Sequence, residues 1–416
     1  MKRIVLAAMA CLLMSFGPGN AQDKKPILIG MADSQSGSLA PIGKSGILAT
    51  QIWADKVNAS GGLLGRPVEL VIYDVESSPR KVADAYTKLL DVDHVDLIIS
   101  GYATNISVPG IPVAAAHNKL FLTVFTLAGN SKFHDPRVFT FMPTGSEPKI
   151  AASQGFFDIA ATMSPKPETL AIIGSDSVFA ANTADGVRTN AKAAGIKIVY
   201  DEPYPASTRD LAPILQAVQA TKPDLIYAAT YPTETAALLR AAQESGLKTR
   251  MFGGTLVGLG AAGMKTQLGP LMNNVVLGQY WAPAPKLQYP GVMDFLKVYR
   301  ERARAAGTDP LGLYLPPFSY ARMQVLEEAI KATNSLDDNK LADYIREHTF
   351  KTVLGDIKFG KDGEWSEARM VWTQFQGVEG NAIGQFMDGT KEVVLLPDFA
   401  KSGKLLPYQA PTTSAD

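Results

Sequence analysis

The chain has 416 residues, 46% of them hydrophobic and 19% charged, and its 40 basic and 40 acidic side chains balance. A chain of this length exceeds one small hydrophobic core, so we expect two domains. The balanced charge, without a basic block, argues against a nucleic-acid partner. Four scattered histidines and a single cysteine, Cys11, offer neither metal-ligand spacing nor a disulfide, and we expect no metal and no cofactor.

The first 21 residues have the pattern of a secretory signal peptide. Lys2-Arg3 form its basic start, Ile4–Phe16 its apolar segment, and the small residues that follow predict cleavage after Ala21. The apolar segment has about 13 residues, fewer than the roughly 20 that span a bilayer. Apolar residues continue past Cys11, which argues against a lipoprotein. We therefore expect a soluble protein that is exported to the periplasm.

In the first third of the chain, short apolar runs alternate with segments of helical periodicity. The run at 97–99 is uncharged after Asp96 and ends before Gly101, which favours a strand buried on both faces. A short helix and a second strand at 120–124 complete a unit of βαβ length. The loops after these two strands, Tyr102–Asn105 and Phe125–Thr126, then face the crevice where open α/β sheets bind ligands. The other strands of this part are predicted at 27–30, 68–73 and 138–142, with helices at 43–58 and from Pro79 onward.

The same alternation restarts near Pro143–Gly145. Strands are predicted at 170–173, 196–200, 225–229, 251–253 and 275–280, with helices at 150–161, 181–194, 211–218 and 233–246. Two such series predict an α/β protein of two doubly wound, Rossmann-like lobes. Too few strands follow for a third sheet, so the remaining elements are expected to return to the two lobes. These are helices at 292–306, 318–332 and 340–348 and strands at 357–359 and 370–375.

Several short motifs follow one another in a recognisable order. They are Ser36-Gly37 with Gly43, the run VNASGGLLGRP at 57–67, Asp74, Tyr231-Pro232, Leu238-Leu239-Arg240, Ser245-Gly246-Leu247-Lys248, Gly355-Asp356-Ile357 and Gly363. Each piece is weak alone, but this many in the right order are specific. From residue 26 to residue 378 the chain resembles the type I periplasmic substrate-binding proteins of ABC importers, in particular the leucine/isoleucine/valine-binding protein family.

The resemblance implies two lobes joined by three hinge crossovers, near Thr144, Tyr280 and Lys351, with a ligand held in the cleft between them. It also implies a monomer without enzymatic activity that captures a small carboxylate-bearing ligand by hinge closure and presents it to a membrane permease. The ligand would be a branched-chain or other amino acid, or an aromatic or aliphatic acid. The N-terminal lobe would comprise 26–144 and 281–350, and the C-terminal lobe 145–280 and 351–416.

Other function classes are weighed against this one. A ligand-sensing module of the same fold would feed a signalling partner instead of a permease, and the chain itself does not separate the two. An exported enzyme would need a paired acid and base in the cleft, and none occurs in the candidate loops. Gly258, Gly260 and Gly263 match a dinucleotide fingerprint, but no acid follows between Met264 and Met293. A loop and helix start at the cleft edge is the preferred interpretation of these glycines.

The resemblance places candidate ligand contacts loop by loop. Thr104 falls where the family has a hydroxyl on the ligand carboxylate, and Asn105 begins a helix whose free N–H groups favour an anion. Without the resemblance, these two would be a polar pair that caps the helix. Thr255 stands where the family has its ammonium-binding glutamate, and Trp281 is either a ligand wall or a hinge-packing residue. The other candidates are Ile42, Tyr102, Ala103, Phe125, Thr126, Phe179 and Tyr231.

The missing glutamate predicts an altered ligand preference. A buried ammonium needs a compensating negative charge, because an unpaired one costs several kcal/mol. The acids near the candidate loops are Asp33, Asp176 and Glu234, and the remaining candidates are mostly apolar or aromatic. We therefore expect an apolar or aromatic carboxylate, or an amino acid held through a different acid, in preference to leucine bound in the family manner.

Overall fold

The structure, a computed structural model, describes residues 25–410, and the predicted signal peptide with its cleavage site lies outside them. Strands and helices alternate along the first part of the chain. The strands are β1 (Ile27–Asp33), β2 (Val68–Asp74), β3 (Leu97–Tyr102), β4 (Phe121–Val124) and β5 (Val138–Phe141). The helices are α1 (Ala40–Ala59), α2 (Val82–Asp91), α3 (Thr104–Ser107) and α4 (Ile111–Ala116). The five strands are parallel and form one sheet in the order β2-β1-β3-β4-β5.

A second, larger sheet follows. Its first strands are β6 (Thr169–Gly174), β7 (Lys197–Asp201), β8 (Leu225–Thr230), β9 (Met251–Leu256) and β10 (Val275–Gln279). The helices between them and before them are α5 (Pro148–Ala161), α6 (Val178–Ala194), α7 (Ala212–Ala220), α8 (Pro232–Glu244) and α9 (Ala262–Leu268). The central strands β8, β9 and β10 are buried along their whole length, as expected for parallel strands covered on both faces.

The last part of the chain adds to both lobes. Its helices are α10 (Val292–Ala306), α11 (Leu315–Thr333) and α12 (Asp338–Glu347), and its strands are β11 (Thr349–Thr352), β12 (Gly355–Lys358), β13 (Val371–Phe375) and β14 (Glu392–Leu396). The second sheet has the order β14-β13-β10-β9-β8-β6-β7, with β13 antiparallel to both of its neighbours. The predicted class, an α/β protein of two lobes with parallel sheets, is confirmed.

The three final helices belong to the first lobe. α11 packs along α1, and Asp338 at the start of α12 accepts hydrogen bonds from the Lys119 ammonium and the Leu120 N–H at 2.7 and 2.8 Å. Pro316 and Pro317 lie in the first turn of α11, where a missing backbone N–H costs no helical hydrogen bond. That start directs Tyr314 and Phe318 toward the ends of the first sheet's strands, where they pack against Phe125.

One boundary differs from the prediction. Residues 351–365, which the sequence analysis assigned to the C-terminal lobe, pack on the first lobe. The ring of Phe359 lies 5.2 Å from those of Phe139 and Phe141 in β5, and the Thr140 N–H donates to the Gly363 carbonyl at 2.8 Å. The third crossover therefore lies at about 366–370, where Ala368 forms a β-bridge with Thr144 of the first crossover. The apolar alternation of this hairpin predicts strands but does not say which core they complete.

The parallel strands of both sheets point their carboxyl ends toward the region between the lobes, where the segments that follow these strands meet. Loop residues after β3 and β4 contact α6 and the loop after β8. Within residues 25–410, no helix combines the length and the apolar composition that crossing a bilayer requires.

Candidate functional site

The site begins where β3 ends. Tyr102 is the last residue of that strand, and Ala103 follows with φ 88° and ψ 148°, a backbone conformation that L-residues rarely adopt. This turn breaks the strand direction sharply, so that α3 starts at Thr104 and points its first residues into the space between the lobes. Phe125 after β4 also has a positive φ, of 49°. Two neighbouring strand ends are thus bent in the same place.

Thr104 is oriented as a hydrogen-bond donor. It is 1% exposed, and its Oγ1 accepts the N–H of Leu127 at 2.9 Å. The Leu127 N–H uses one of the two acceptor lone pairs, and no acceptor among residues 25–410 receives the hydroxyl hydrogen, which is therefore available to another group. A threonine in this position, held by a backbone N–H from the neighbouring loop, is suited to binding a carboxylate oxygen.

Asn105 connects the two lobes. Its Oδ1 accepts the N–H of Phe179 at 3.3 Å, and its own N–H points at the Tyr231 hydroxyl at 3.5 Å. A second connection runs from the Asn182 side-chain amide to the Leu127 carbonyl at 2.9 Å. The structure therefore brings the predicted pair Thr104 and Asn105 together with the predicted aromatic residues of the second lobe.

Four tyrosines surround this point: Tyr102, Tyr231, Tyr280 and Tyr314. The hydroxyls of Tyr102 and Tyr314 lie 3.4 Å apart. Burial is the main reason why the pKa of each phenol is raised above its ordinary value of 10. The phenols are therefore neutral around pH 7 and present O–H donors in a region shielded from water. We call this group, with Thr104 and Asn105, the tyrosine cluster.

Aromatic rings form the floor of the tyrosine cluster. Phe125 is central, with its ring centroid 4.4 Å from that of Tyr280, 4.9 Å from Tyr314 and 4.8 Å from Phe318. On the opposite side, Phe179 and Tyr231 of the second lobe pack at 5.2 Å. Such separations are those of favourable aromatic pairs. The walls of the site are consequently apolar and aromatic, with hydroxyl groups at defined points.

Sequence reasoning missed Tyr314 and Phe318 as site residues, and named Tyr280 only as a crossover position. All three come from the crossover or from the returning α11, far along the chain from the candidate loops. The signal that points to Tyr314 and Phe318 is local: one aromatic residue lies two positions before a pair of prolines, and another follows them directly. Only the packing of α11 against the first sheet reveals which site that helix start reaches.

The polar groups of three other candidates, Thr126, Trp281 and Thr255, do not bond to the tyrosine cluster. The Thr126 hydroxyl donates to the carbonyl of Val124, the last residue of β4, at 3.3 Å. The Trp281 indole N–H donates to the Leu287 carbonyl at 2.8 Å, which favours its hinge-packing alternative. Thr255, at 1% exposure, has a hydroxyl without a hydrogen-bond partner among residues 25–410. Ile42 is buried on α1, beside Pro232 at the outer edge of the cleft.

The three acids considered from the sequence differ in their surroundings. Asp176, between β6 and α6, is exposed and accepts the N–H of Ala206 at 2.8 Å. Glu234 is buried; its Oε2 accepts the Tyr231 N–H at 2.8 Å, and its Oε1 has no partner in the described chain. Burial raises the pKa of the Glu234 carboxyl. An acid that caps α8 in this way lies next to the tyrosine cluster rather than within it.

Asp33, at the end of β1, is fully buried. Its Oδ1 accepts the N–H groups of Ser34 and Tyr102 at 2.7 and 3.0 Å, whereas its Oδ2 has no partner within residues 25–410. Burial raises the pKa of Asp33 to about 6, and the two backbone N–H groups and the charge of Arg322 oppose that rise. One oxygen of the Asp33 carboxylate therefore forms no hydrogen bond within residues 25–410, although the carboxylate lies beside Tyr102, the last residue of β3.

The glycines of the dinucleotide-like motif have a packing role. A Cβ at Gly260 would lie 2.5 Å from the ring of Tyr314, and a Cβ at Gly258 would lie 2.8 Å from the Pro232 Cα. The Ala262 N–H donates to Asp309 of the first lobe at 3.0 Å. Small residues here let a second-lobe loop approach the first lobe closely. The described chain, residues 25–410, also contains no group of three acids, histidines or cysteines placed to hold a metal ion.

The Asp33 environment predicts a pH dependence of stability. Its folded-state pKa of about 6 lies above the ordinary 3.8, so its contribution to stability is complete below pH 3.8 and is lost as the pH rises through 6. We expect Asp33→Asn to remove this dependence, so that the variant gains up to roughly 3 kcal/mol relative to the wild type between pH 4 and pH 7. Urea unfolding of both proteins across this range measures the difference. Parallel pH profiles would contradict the assignment.

Comparison with known proteins identifies the family. The model of the periplasmic binding protein family matches residues 26–379. The leucine-, isoleucine-, valine-, threonine- and alanine-binding protein of Pseudomonas aeruginosa is 23% identical over 340 residues, which cover 81% of this chain and 87% of that protein.

Two solved structures have the same fold. A branched-chain amino acid transporter substrate binding protein from Streptococcus pneumoniae, in complex with isoleucine, is 18% identical with a TM-score of 0.69, over 86% of this chain and 98% of its own. An ABC transporter solute binding protein from R. palustris, in complex with benzoate, is 16% identical with a TM-score of 0.73, over 92% of this chain and 98% of its own. The resemblance predicted from the motifs is confirmed, and the chain belongs to the periplasmic binding protein family.

Proposed function

We propose that this protein is the solute-binding component of an ABC importer, and that it captures a small carboxylate-bearing ligand between its lobes in the periplasm. It acts as a monomer and delivers the ligand to a membrane permease. The tyrosine cluster is the observation that supports this most directly, because it gathers hydroxyl and amide donors from both lobes at one buried point. Membership of the family supports the transport role.

The donor set favours an anionic oxygen group. Thr104 has a free hydroxyl hydrogen, and the neutral phenols around it donate hydrogen bonds without having to ionise. Hydrogen bonds from neutral donors to a charged acceptor contribute more than neutral pairs, roughly 1.5–3 kcal/mol each. A carboxylate placed beside Thr104 reaches donors of both lobes, and it therefore favours the conformation in which the lobes are together.

The rest of the ligand is proposed to be apolar or aromatic, or else to bind any ammonium group through a different acid. Phe125, Phe179 and Phe318 offer ring faces and edges, and Thr255 brings no charge to the position of the family's glutamate. Asp33 and Glu234 are the acids with an unpartnered buried oxygen close to the site. Among the relatives, one structure holds isoleucine and another holds benzoate, so both ligand types fit this fold.

The first test of the site is Thr104→Ala. Removal of the hydroxyl leaves the carboxylate with one donor fewer in a buried site, so we expect a loss of about 1–3 kcal/mol in binding free energy. Isothermal titration calorimetry with the cognate acid measures it. The Leu127 N–H also loses its acceptor, so some stability is lost, and circular dichroism checks that the fold is kept. Thr104→Ser is the matched control, since it keeps the hydroxyl and should retain most of the affinity. Equal affinity of the alanine variant and the wild type would remove Thr104 from the site.

The second test is a ligand panel of leucine, valine, phenylalanine and benzoate-type acids, screened by thermal shift. A binder present at 100 times its dissociation constant raises the unfolding free energy by about 2.7 kcal/mol, which is readily detected. We expect apolar or aromatic acids to be preferred over leucine, or amino-acid binding to be lost in Asp33→Asn or Glu234→Gln. Tight leucine binding that survives both substitutions and Asp176→Asn would refute the proposed preference.

The third test concerns closure about the three crossovers near 144, 280 and 366–370. Closure by rigid-body rotation compacts the protein without changing its secondary structure, as for periplasmic binding proteins in general. Small-angle scattering should therefore give a smaller radius of gyration at ligand saturation, with an unchanged circular dichroism spectrum. Superimposable scattering curves with and without ligand would speak against closure.

A further inference from the structure

A groove of about 400 Å³ lies at the outer edge of the cleft, where the lobes meet. The first lobe contributes Pro41 and Ile42 from the start of α1. The second lobe contributes Arg209, Pro232, Arg240 and Met264, from the loop before α7, from α8 and from α9. We call it the seam groove. Because its walls come from both lobes, it takes this shape only when the lobes have their present arrangement.

The charge of the seam groove has one sign. Arg209 and Arg240 are both exposed, and neither makes a hydrogen bond or a salt bridge with any residue of the described range 25–410. No acidic side chain lines the groove. The Arg209 charge slightly opposes the burial that raises the pKa of Glu234, but no ion pair joins the two. Two unpaired guanidinium groups over an apolar floor are suited to a carboxylate, which they can bind in a planar, bidentate manner.

The seam groove adjoins the tyrosine cluster directly. Tyr231 points its hydroxyl at the Asn105 N–H and packs its ring on Phe179. Pro232, the next residue, lines the groove, and consecutive Cα atoms are about 3.8 Å apart. Ile42 forms the facing wall from the first lobe. Tyr231 thus belongs to the tyrosine cluster and the next residue, Pro232, to the seam groove, so that one step along the chain joins the two.

We infer that the ligand bears a second anionic group at the far end of an apolar or aromatic body, and that Arg209 and Arg240 receive this group in the seam groove. The substrate class is then a diacid, with one carboxylate among the buried hydroxyl donors and the other at the arginines. The inference rests on the proposed function, because it extends the same binding site. It narrows that function from carboxylates in general to ligands charged at both ends.

Matched ligand pairs test the inference on the full-length mature protein. Calorimetry compares benzoate with terephthalate, and hexanoate with adipate, at low and high salt. Partly exposed charge pairs are individually weak, so the two arginines together should make each diacid bind roughly 3- to 10-fold more tightly than its monoacid at low salt. High salt should reduce that ratio, because exposed charges are screened. Arg209→Gln with Arg240→Gln should bring the ratio close to one, because the second carboxylate of the diacid then loses its charged partners.

Two control variants separate a specific effect of the two arginines from a general effect of surface charge and from binding of the first carboxylate. Arg304→Gln removes another exposed arginine, on α10, that has no partner among the described residues, and the ratio should not change. Thr104→Ala should weaken monoacids and diacids alike. Monoacid binding without any gain from the second carboxylate, or a gain that persists in the double arginine variant, would overturn this inference and leave the proposed function standing. Failure of all four acids to bind would also overturn this inference, whereas the proposed function fails only if the amino acids and aromatic acids of the ligand panel do not bind either.

Discussion

A carboxylate that leaves water must meet donors that are already in place, because an uncompensated buried charge costs several kcal/mol. Around Thr104, a turn at Ala103 and one hydrogen bond from Leu127 hold such a donor in place. The positive φ of Ala103 turns the chain at the end of β3, and the Leu127 N–H occupies the acceptor side of the Thr104 hydroxyl. The hydroxyl hydrogen has no acceptor among residues 25–410. The remainder of the site is built outward from this point.

The same point joins the lobes. Asn105 accepts the Phe179 N–H with its side chain and directs its own N–H at the Tyr231 hydroxyl. Both contacts are polar. Because Gly260 has no side chain, its second-lobe loop can lie directly against the Tyr314 ring of the first lobe. A ligand that contacted both sides of this interface would stabilise the arrangement in which the lobes are together. The candidate site and the contacts between the lobes therefore involve the same residues.

Electrostatics around the site are uneven. Hydroxyl donors lie in the centre, buried acids with one free oxygen lie beside them at Asp33 and Glu234, and unpaired arginines lie outside at the seam groove. Burial raises the pKa of both acids, which shows that their ionised forms are poorly compensated by the protein. A ligand cation near either acid, or a ligand anion near the arginines, supplies charge that the protein leaves unbalanced.

The sequence alone determined the alternation of strands and helices, the two lobes, and the loops that follow β3, β4 and β8. These depend on local patterns, namely apolar runs, glycines after helices and the motif order from Ser36 to Gly363, and such patterns are readable along the chain. Thr104, Asn105 and Tyr231 were named at the ends of β3 and β8, and Phe179 after β6, because the resemblance to the family places ligand contacts there.

Tertiary structure decided the rest, because it joins segments that are distant in sequence. It placed Tyr314 and Phe318 at the site, since only the packing of α11 on α1 sets where that helix begins in space. It assigned 351–365 to the first lobe, since Phe359 packs equally near Phe139 and Phe141 of a strand more than 200 residues earlier. It also directed the Trp281 N–H to Leu287. Which core an apolar segment completes depends on the surfaces offered by the whole fold, and a one-dimensional pattern does not contain that information.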